Sequence, residues 1–204
     1  MDDLLTALLG RNGDVFQDRL QRKAELARDI IASSYLTGEF TMSDGLSSTY
    51  IFHPSLFMTK PTVLRRLVSV LAALVPQRID RLAGSEPGSL PIATGLALET
   101  GIPFIALREV PEAAPLSFAA LGEVHAGERV VVVEDVVKSG SRALAAARAI
   151  ERSGAIVDRV LCVIDREEGG SALLSEAGLL LEPLFTAREL LVTPGRAPGS
   201  RGGR

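Results

Sequence analysis

Two adjacent carboxylates, Glu134 and Asp135, directly follow the run Val130-Val131-Val132-Val133, and the small-residue sequence Ser139-Gly140-Ser141 lies just beyond them. Four consecutive valines read as a strand buried on both faces. The alanine-rich run from Arg142 to Arg152 reads as a helix. Carboxylates can accept hydrogen bonds from the hydroxyls of a pentose. Backbone N–H groups in a tight turn that opens a helix face an anion. The segment therefore suits a sugar phosphate. Lys138 stands inside the turn, and Arg108 and Arg166 stand at the ends of two other strand-like runs. Taken singly, each has an ordinary reading: paired acids often edge an exposed loop, and a loop lysine is often only solvated. The order strand, acids, turn, helix is what carries the chemistry.

The elements that must position these groups follow from periodicity. Residues 15–36 place Val15, Leu20, Leu26, Ile30 and Ile31 among charges, as an amphipathic helix does. Residues 40–52 read as a hairpin around the polar turn Ser43-Asp44-Gly45. Pro61 opens a helix expected over residues 62–74, a position where proline costs little. Beyond Arg78, strands are predicted at 79–83, 103–107, 130–133 and 160–165, with helices at 90–100 and 142–152 and a loop over 109–128. Strands alternating with helices predict an α/β fold whose parallel sheet is covered on both faces. In such sheets ligands bind beyond the carboxyl ends of the strands. Here those ends are residues 84–89, 108–109, 134–141 and 165–170. One domain is expected over residues 1–193, with a small helix-and-hairpin hood at about 15–60 and a core at about 61–193. Residues 194–204, rich in Pro, Gly and Arg, are expected to be a disordered tail.

Composition narrows the class. The 204 residues are 47% hydrophobic and 23% charged, ordinary values for a globular protein, and the net charge of -3 gives no support for a general nucleic-acid surface. The lone Cys162 lies in an apolar run and reads as a small buried residue. His53 and His125 are the only histidines and are too far apart in sequence for a recognisable metal spacing. Arg65-Arg66 reads as a solvated helix face. The segment at residues 1–5 lacks a basic, then apolar, leader pattern, and no apolar stretch is long enough to span a bilayer. A cytoplasmic protein without membrane or nucleic-acid partners is expected.

Neither G-x-x-x-x-G-K-[ST] nor G-x-G-x-x-G occurs, which argues against a P-loop NTPase or a dinucleotide enzyme. The strand, acids and turn instead resemble the phosphoribosyl-diphosphate motif of type I phosphoribosyltransferases. Within that class, residues 40–50 resemble the N-terminal hairpin of orotate phosphoribosyltransferase. Ala83-Gly84, followed by Leu90-Pro91-Ile92-Ala93, is similar to its diphosphate-binding loop and next helix. Asp165-Arg166-Glu167-Glu168-Gly169-Gly170 is similar to its post-strand signature. The resemblance covers about residues 15–192. It implies transfer of ribose 5-phosphate from phosphoribosyl diphosphate to N1 of orotate, with Mg²⁺ bound mainly through substrate and a homodimer sharing its active sites. It implies that Glu134 and Asp135 hold the ribose hydroxyls as the catalytic acids, and that Lys138, Ser139, Gly140 and Ser141, with Val136 and Val137 leading in, wrap the 5-phosphate. It further implies that Arg166 binds the orotate carboxylate, that Ile51 and Phe52 border the pyrimidine, and that Arg108 serves the substrate from the end of its strand.

The chain departs from that family at the loop after the second sheet strand. The family's loop carries several lysines and a histidine and folds over the neighbouring subunit's site. Here Arg108 is followed by Glu109-Val110-Pro111-Glu112, and no lysine or histidine occurs between Arg108 and Val124. Ser43, Leu46 and Ser47 also stand where the family is frequently basic. Losing one charge-assisted donor to a transition-state oxyanion costs about 10²–10³ in rate. Two readings follow: an orotate phosphoribosyltransferase-like enzyme in which Lys138 is a candidate replacement cation, or a non-catalytic, regulatory nucleotide-binding paralogue lacking the cationic loop.

Overall fold

A computed structural model describes residues 2–41, 47–111 and 116–192, with side chains from residue 18 onward. Helix α1 (Asp2–Ser34) is longer than its predicted 15–36 core at the amino end and stops earlier at the other. Tyr35 already belongs to strand β1 (Tyr35–Thr41), which pairs antiparallel with β2 (Ser47–Phe52) as the expected hairpin. The turn residues Ser43, Asp44, Gly45 and Leu46 lie outside the described residues. Helix α2 (Ser55–Met58) and helix α3 (Pro61–Leu71) follow, and a short 3₁₀ turn over Ala72–Leu74 completes the predicted second helix.

The sheet begins with β3 (Arg81–Ser85), then α4 (Leu90–Thr100), β4 (Phe104–Glu109), β5 (Phe118–Leu121), β6 (Arg129–Val137), α5 (Ser141–Glu151), β7 (Ile156–Asp165), α6 (Gly170–Glu176), β8 (Leu180–Thr186) and α7 (Ala187–Val192). Helix α4 stops at Gly101, whose φ of 74° is the left-handed geometry glycine supplies at a helix end. The six strands run β5-β4-β3-β6-β7-β8, all parallel except β5. Strand β5 falls within the span expected as loop 109–128. Its Phe-Ala-Ala-Leu sequence carries little strand propensity, and pairing with β4 supplies what propensity lacks. Residues 112–115 of that span, Glu112 included, lie outside the described residues, as do residues 193–204.

Alternation along β6 explains the valine run. Val131 and Val133 pack on one face with Leu82, Leu161 and residues of α1, α3 and α4. Val130 and Val132 pack on the other with Ile105, Cys162 and the alanines of α5, all buried. The sheet is thus clamped between two cores. At its amino edge, ion pairs tie loops together: Arg81 grips Glu128 at 2.7 and 2.9 Å, and Arg129 pairs with Asp158. The carboxyl edge is left for other work. Strand order reverses between β3 and β6, so the loops after these two strands diverge and open a crevice.

Candidate functional site

A cleft of about 650 Å³ opens at the carboxyl edge. Its walls include Glu134, Val136, Val137 and the turn Lys138–Ser141 from the β6–α5 connection, Arg166 after β7, and Ile51 and Phe52 from the hairpin. Residues 118 apart in sequence meet here, as the Arg166 guanidinium reaches Ser48 Oγ at 3.4 Å.

The acids lie inside β6 rather than after it, because β7 continues to pair with β6 through Val137. Strand alternation then turns the two carboxylates to opposite faces. Glu134 lines the cleft, only 4% exposed, and its Oε1 has no hydrogen-bond partner. Burial, reinforced by the neighbouring Asp135 charge, pushes its pKa up to about 8. Asp135 is also pushed upward by burial, opposed by the Val136 N–H that donates to its Oδ1 at 2.6 Å. Its Oδ2 lies against Gly88 of the loop after β3, where a Cβ would come within 3.0 Å. Asp135 therefore faces the β3 loop across the topological switch and does not line the cleft itself. Arg108 is likewise absent from the lining: it donates to Glu86 at 2.9 Å and is largely exposed.

The turn after β6 is built by glycine. Gly140 has φ 81° just before α5, and Gly170 packs so tightly beneath it that an added Cβ would meet the Lys138 carbonyl oxygen at 2.5 Å. Ser139 and Ser141 hydroxyls are 3.1 Å apart. Lys138 makes no ion pair among the described residues. Arg166 is held from several sides: its backbone N–H donates to Val137 O at 2.8 Å, and its guanidinium pairs with Glu168 at 2.6 Å. The guanidinium also lies 4.7 Å from the Tyr50 ring centroid. Its buried Nε lacks a partner. The loop that carries it is bent by Glu167, at φ 58°, whose N–H donates to Asp165 Oδ1 at 2.8 Å. Tyr50 and Phe52 form an aromatic wall with Tyr35, with ring centroids 5.4–5.9 Å apart.

Six residues of the cleft lining fall outside the predicted site residues: His53, Pro54, Glu109, Leu116, Arg142 and Ala143. Arg142 donates to Glu109 at 2.6 Å across 33 residues of sequence. The only local signal was a cation placed one residue past the Ser-Gly-Ser turn. Cys162 and the other histidine match their ordinary readings, Cys162 buried and His125 exposed. Arg66 pairs with Asp29 of α1, while Arg65 is exposed.

Parallel strands with a buried glutamate, a half-buried aspartate beside it and a glycine-built turn at their switch point define the type I phosphoribosyltransferase class. No protein-family model matches the chain. A curated orotate phosphoribosyltransferase of Methanocella arvoryzae is 38% identical over 154 residues, spanning 76% of this chain and 88% of that one. One from Nocardioides is 38% identical over 167 residues, 82% of this chain and 93% of that one. The orotate phosphoribosyltransferase structure from Aeropyrum pernix superposes with a TM-score of 0.70 at 26% identity, covering 78% of this chain and 90% of that one. The chain belongs to the orotate phosphoribosyltransferase family.

Proposed function

We infer that this protein transfers the 5-phosphoribosyl group of phosphoribosyl diphosphate to orotate. The bond from C1′ to diphosphate breaks, a bond to N1 of orotate forms, and the products are orotidine 5′-monophosphate and diphosphate. The observation that carries the reading is the cleft itself: an unpaired, buried Glu134 oxygen, the Lys138–Ser141 turn and a buried Arg166 share one cavity in a member of this family. The transition state gains positive charge on the ribose ring and negative charge on the departing diphosphate. Acceptors beside the ring and donors beside the leaving group lower that barrier most in a site poor in water. Glu134 is placed to accept from a ribose hydroxyl, and Asp135 acts from the far side of β6, where the β3 loop passes. The N–H groups of residues 139–141 suit the 5-phosphate. Arg166, with its unpartnered Nε, suits the carboxylate of orotate, and Ile51 and Phe52 border the ring.

Mg²⁺ fits this arrangement as a partner of the substrate. Among the described residues no group of three or more His, Cys, Asp or Glu gathers into a protein cage. One or two carboxylates plus substrate phosphates is the donor set Mg²⁺ favours. Glu134 would be its protein neighbour on the cleft side of β6, and the ion would neutralise charge on the diphosphate. We further infer a homodimer, the assembly that the family resemblance implies. No helix among the described residues is long and apolar enough to cross a membrane. The hood at about residues 15–60 serves to bring the hairpin over the base. The non-catalytic alternative gains nothing from the cleft or from the relatives.

The test is loss of orotate absorbance with phosphoribosyl diphosphate and Mg²⁺, with uracil as the control base. Turnover specific for orotate is expected, and Asp135→Asn is expected to lower it by about 10²–10³. Background turnover that the variant leaves unchanged would end the enzyme reading.

A further inference from the structure

We propose that Arg142 is a phosphate-binding residue of the cleft, and that Glu109 is its resting counter-ion, displaced when the phosphorylated substrate enters. This rests on the function proposed above and names the cation that the depleted loop does not provide. Four cationic side chains stand at or near the cleft among the described residues, and they are not equally available. Arg166 is buried between Glu168 and Tyr50. Arg108 is turned outward onto Glu86. Lys138 is unpaired but lies on a flexible stem. Arg142 stands in the first turn of α5, directly after Ser141, and lines the cavity together with Glu109.

The geometry of the pair is that of a held but exchangeable cation. One guanidinium nitrogen donates to Glu109 Oε2 at 2.6 Å, and the guanidinium lies 5.0 Å from the centroid of Phe118, which is itself buried. The ring backs the guanidinium, and Glu109 is the one hydrogen-bond partner of Arg142 among the described residues, which leaves N–H groups for a second acceptor. The two charged side chains are 43% and 47% exposed. An ion pair that wet contributes little to stability, so its exchange for another anion is cheap. A phosphate offers a guanidinium two parallel charge-assisted hydrogen bonds and a larger charge than a carboxylate. Glu109, in turn, would repel a bound phosphate if it kept its place. Substrate binding therefore trades one partner of Arg142 for another, and Glu109 sets how strongly the empty cleft resists anions.

Calorimetric titration of the whole protein with ribose 5-phosphate tests this, because it needs no turnover. Arg142→Gln is expected to weaken binding by about 10- to 100-fold, the range for a hydrogen bond to a charged group, and Arg142→Lys to restore part of it. Glu109→Gln is expected to tighten binding several-fold, and that gain should vanish when Arg142→Gln is also present, since the two residues act as one unit. Unchanged affinity in Arg142→Gln, or a Glu109→Gln gain that survives in the double variant, would overturn the proposal while leaving the cleft's function intact. A wild-type protein that does not bind ribose 5-phosphate would overturn the functional reading as well.

Discussion

Glu134 is a buried acid with a carboxyl oxygen left unpaired, and that has a measurable consequence in the ligand-free protein. Its pKa of about 8 stands above the ordinary 4.5 of an unfolded chain. Between those values the folded protein holds a proton that the unfolded chain has released, so stability falls as pH rises through that window. Thermal melts from pH 5 to pH 8 should show this decline in the wild type and a flatter profile in Glu134→Gln, whose amide does not titrate. A wild-type profile that rises over the same range would contradict the assignment. Most groups of this cleft were legible in the sequence because they are local: Glu134, the Lys138–Ser141 turn and Arg166 each sit at the end of a strand that reads plainly. Two features were not. The sidedness of Asp135 depends on how far β7 keeps pairing with β6, and the Arg142–Glu109 pair joins residues from different connections.

Elements position these groups through close backbone approach more than through side-chain bonds. The β6–α5 turn rests on the start of α6, where an added methyl on Gly170 would meet Lys138 O at 2.5 Å and Val137 Cγ1 at 2.6 Å. Neither neighbour can yield without moving the turn. Gly170→Ala should therefore cost about 1–3 kcal/mol of stability, as overpacking does, and should weaken ribose 5-phosphate affinity in the same variant. Denaturant melts and calorimetry check both; a variant as stable as wild type with unaltered affinity would show that the turn is not held from below. The same logic explains which elements periodicity could find. The helix over 90–100 and the hairpin carry their own signals. Strand β5 exists because β4 offers an edge, and no element was predicted for the α6–β8–α7 segment, since Leu180–Thr186 is interrupted by Glu182 and Pro183.

On the scale of the whole molecule, the sheet divides labour between its edges. Apolar side chains fill both faces and ion pairs fasten the amino edge. The reversal of strand order between β3 and β6 leaves one crevice where a buried glutamate, a turn of amides and a held arginine converge. A second groove, between α1 and α3, also carries positive charge, from Arg22, Arg65 and Arg66. An anion could in principle choose between the two. The sharpest measurement is a crystal structure of the protein with phosphoribosyl diphosphate and Mg²⁺. Our account predicts the 5-phosphate on the amides of residues 139–141, with the ribose hydroxyls toward Glu134. Ligand density on the α1–α3 groove, with the β6 cleft empty, would contradict it.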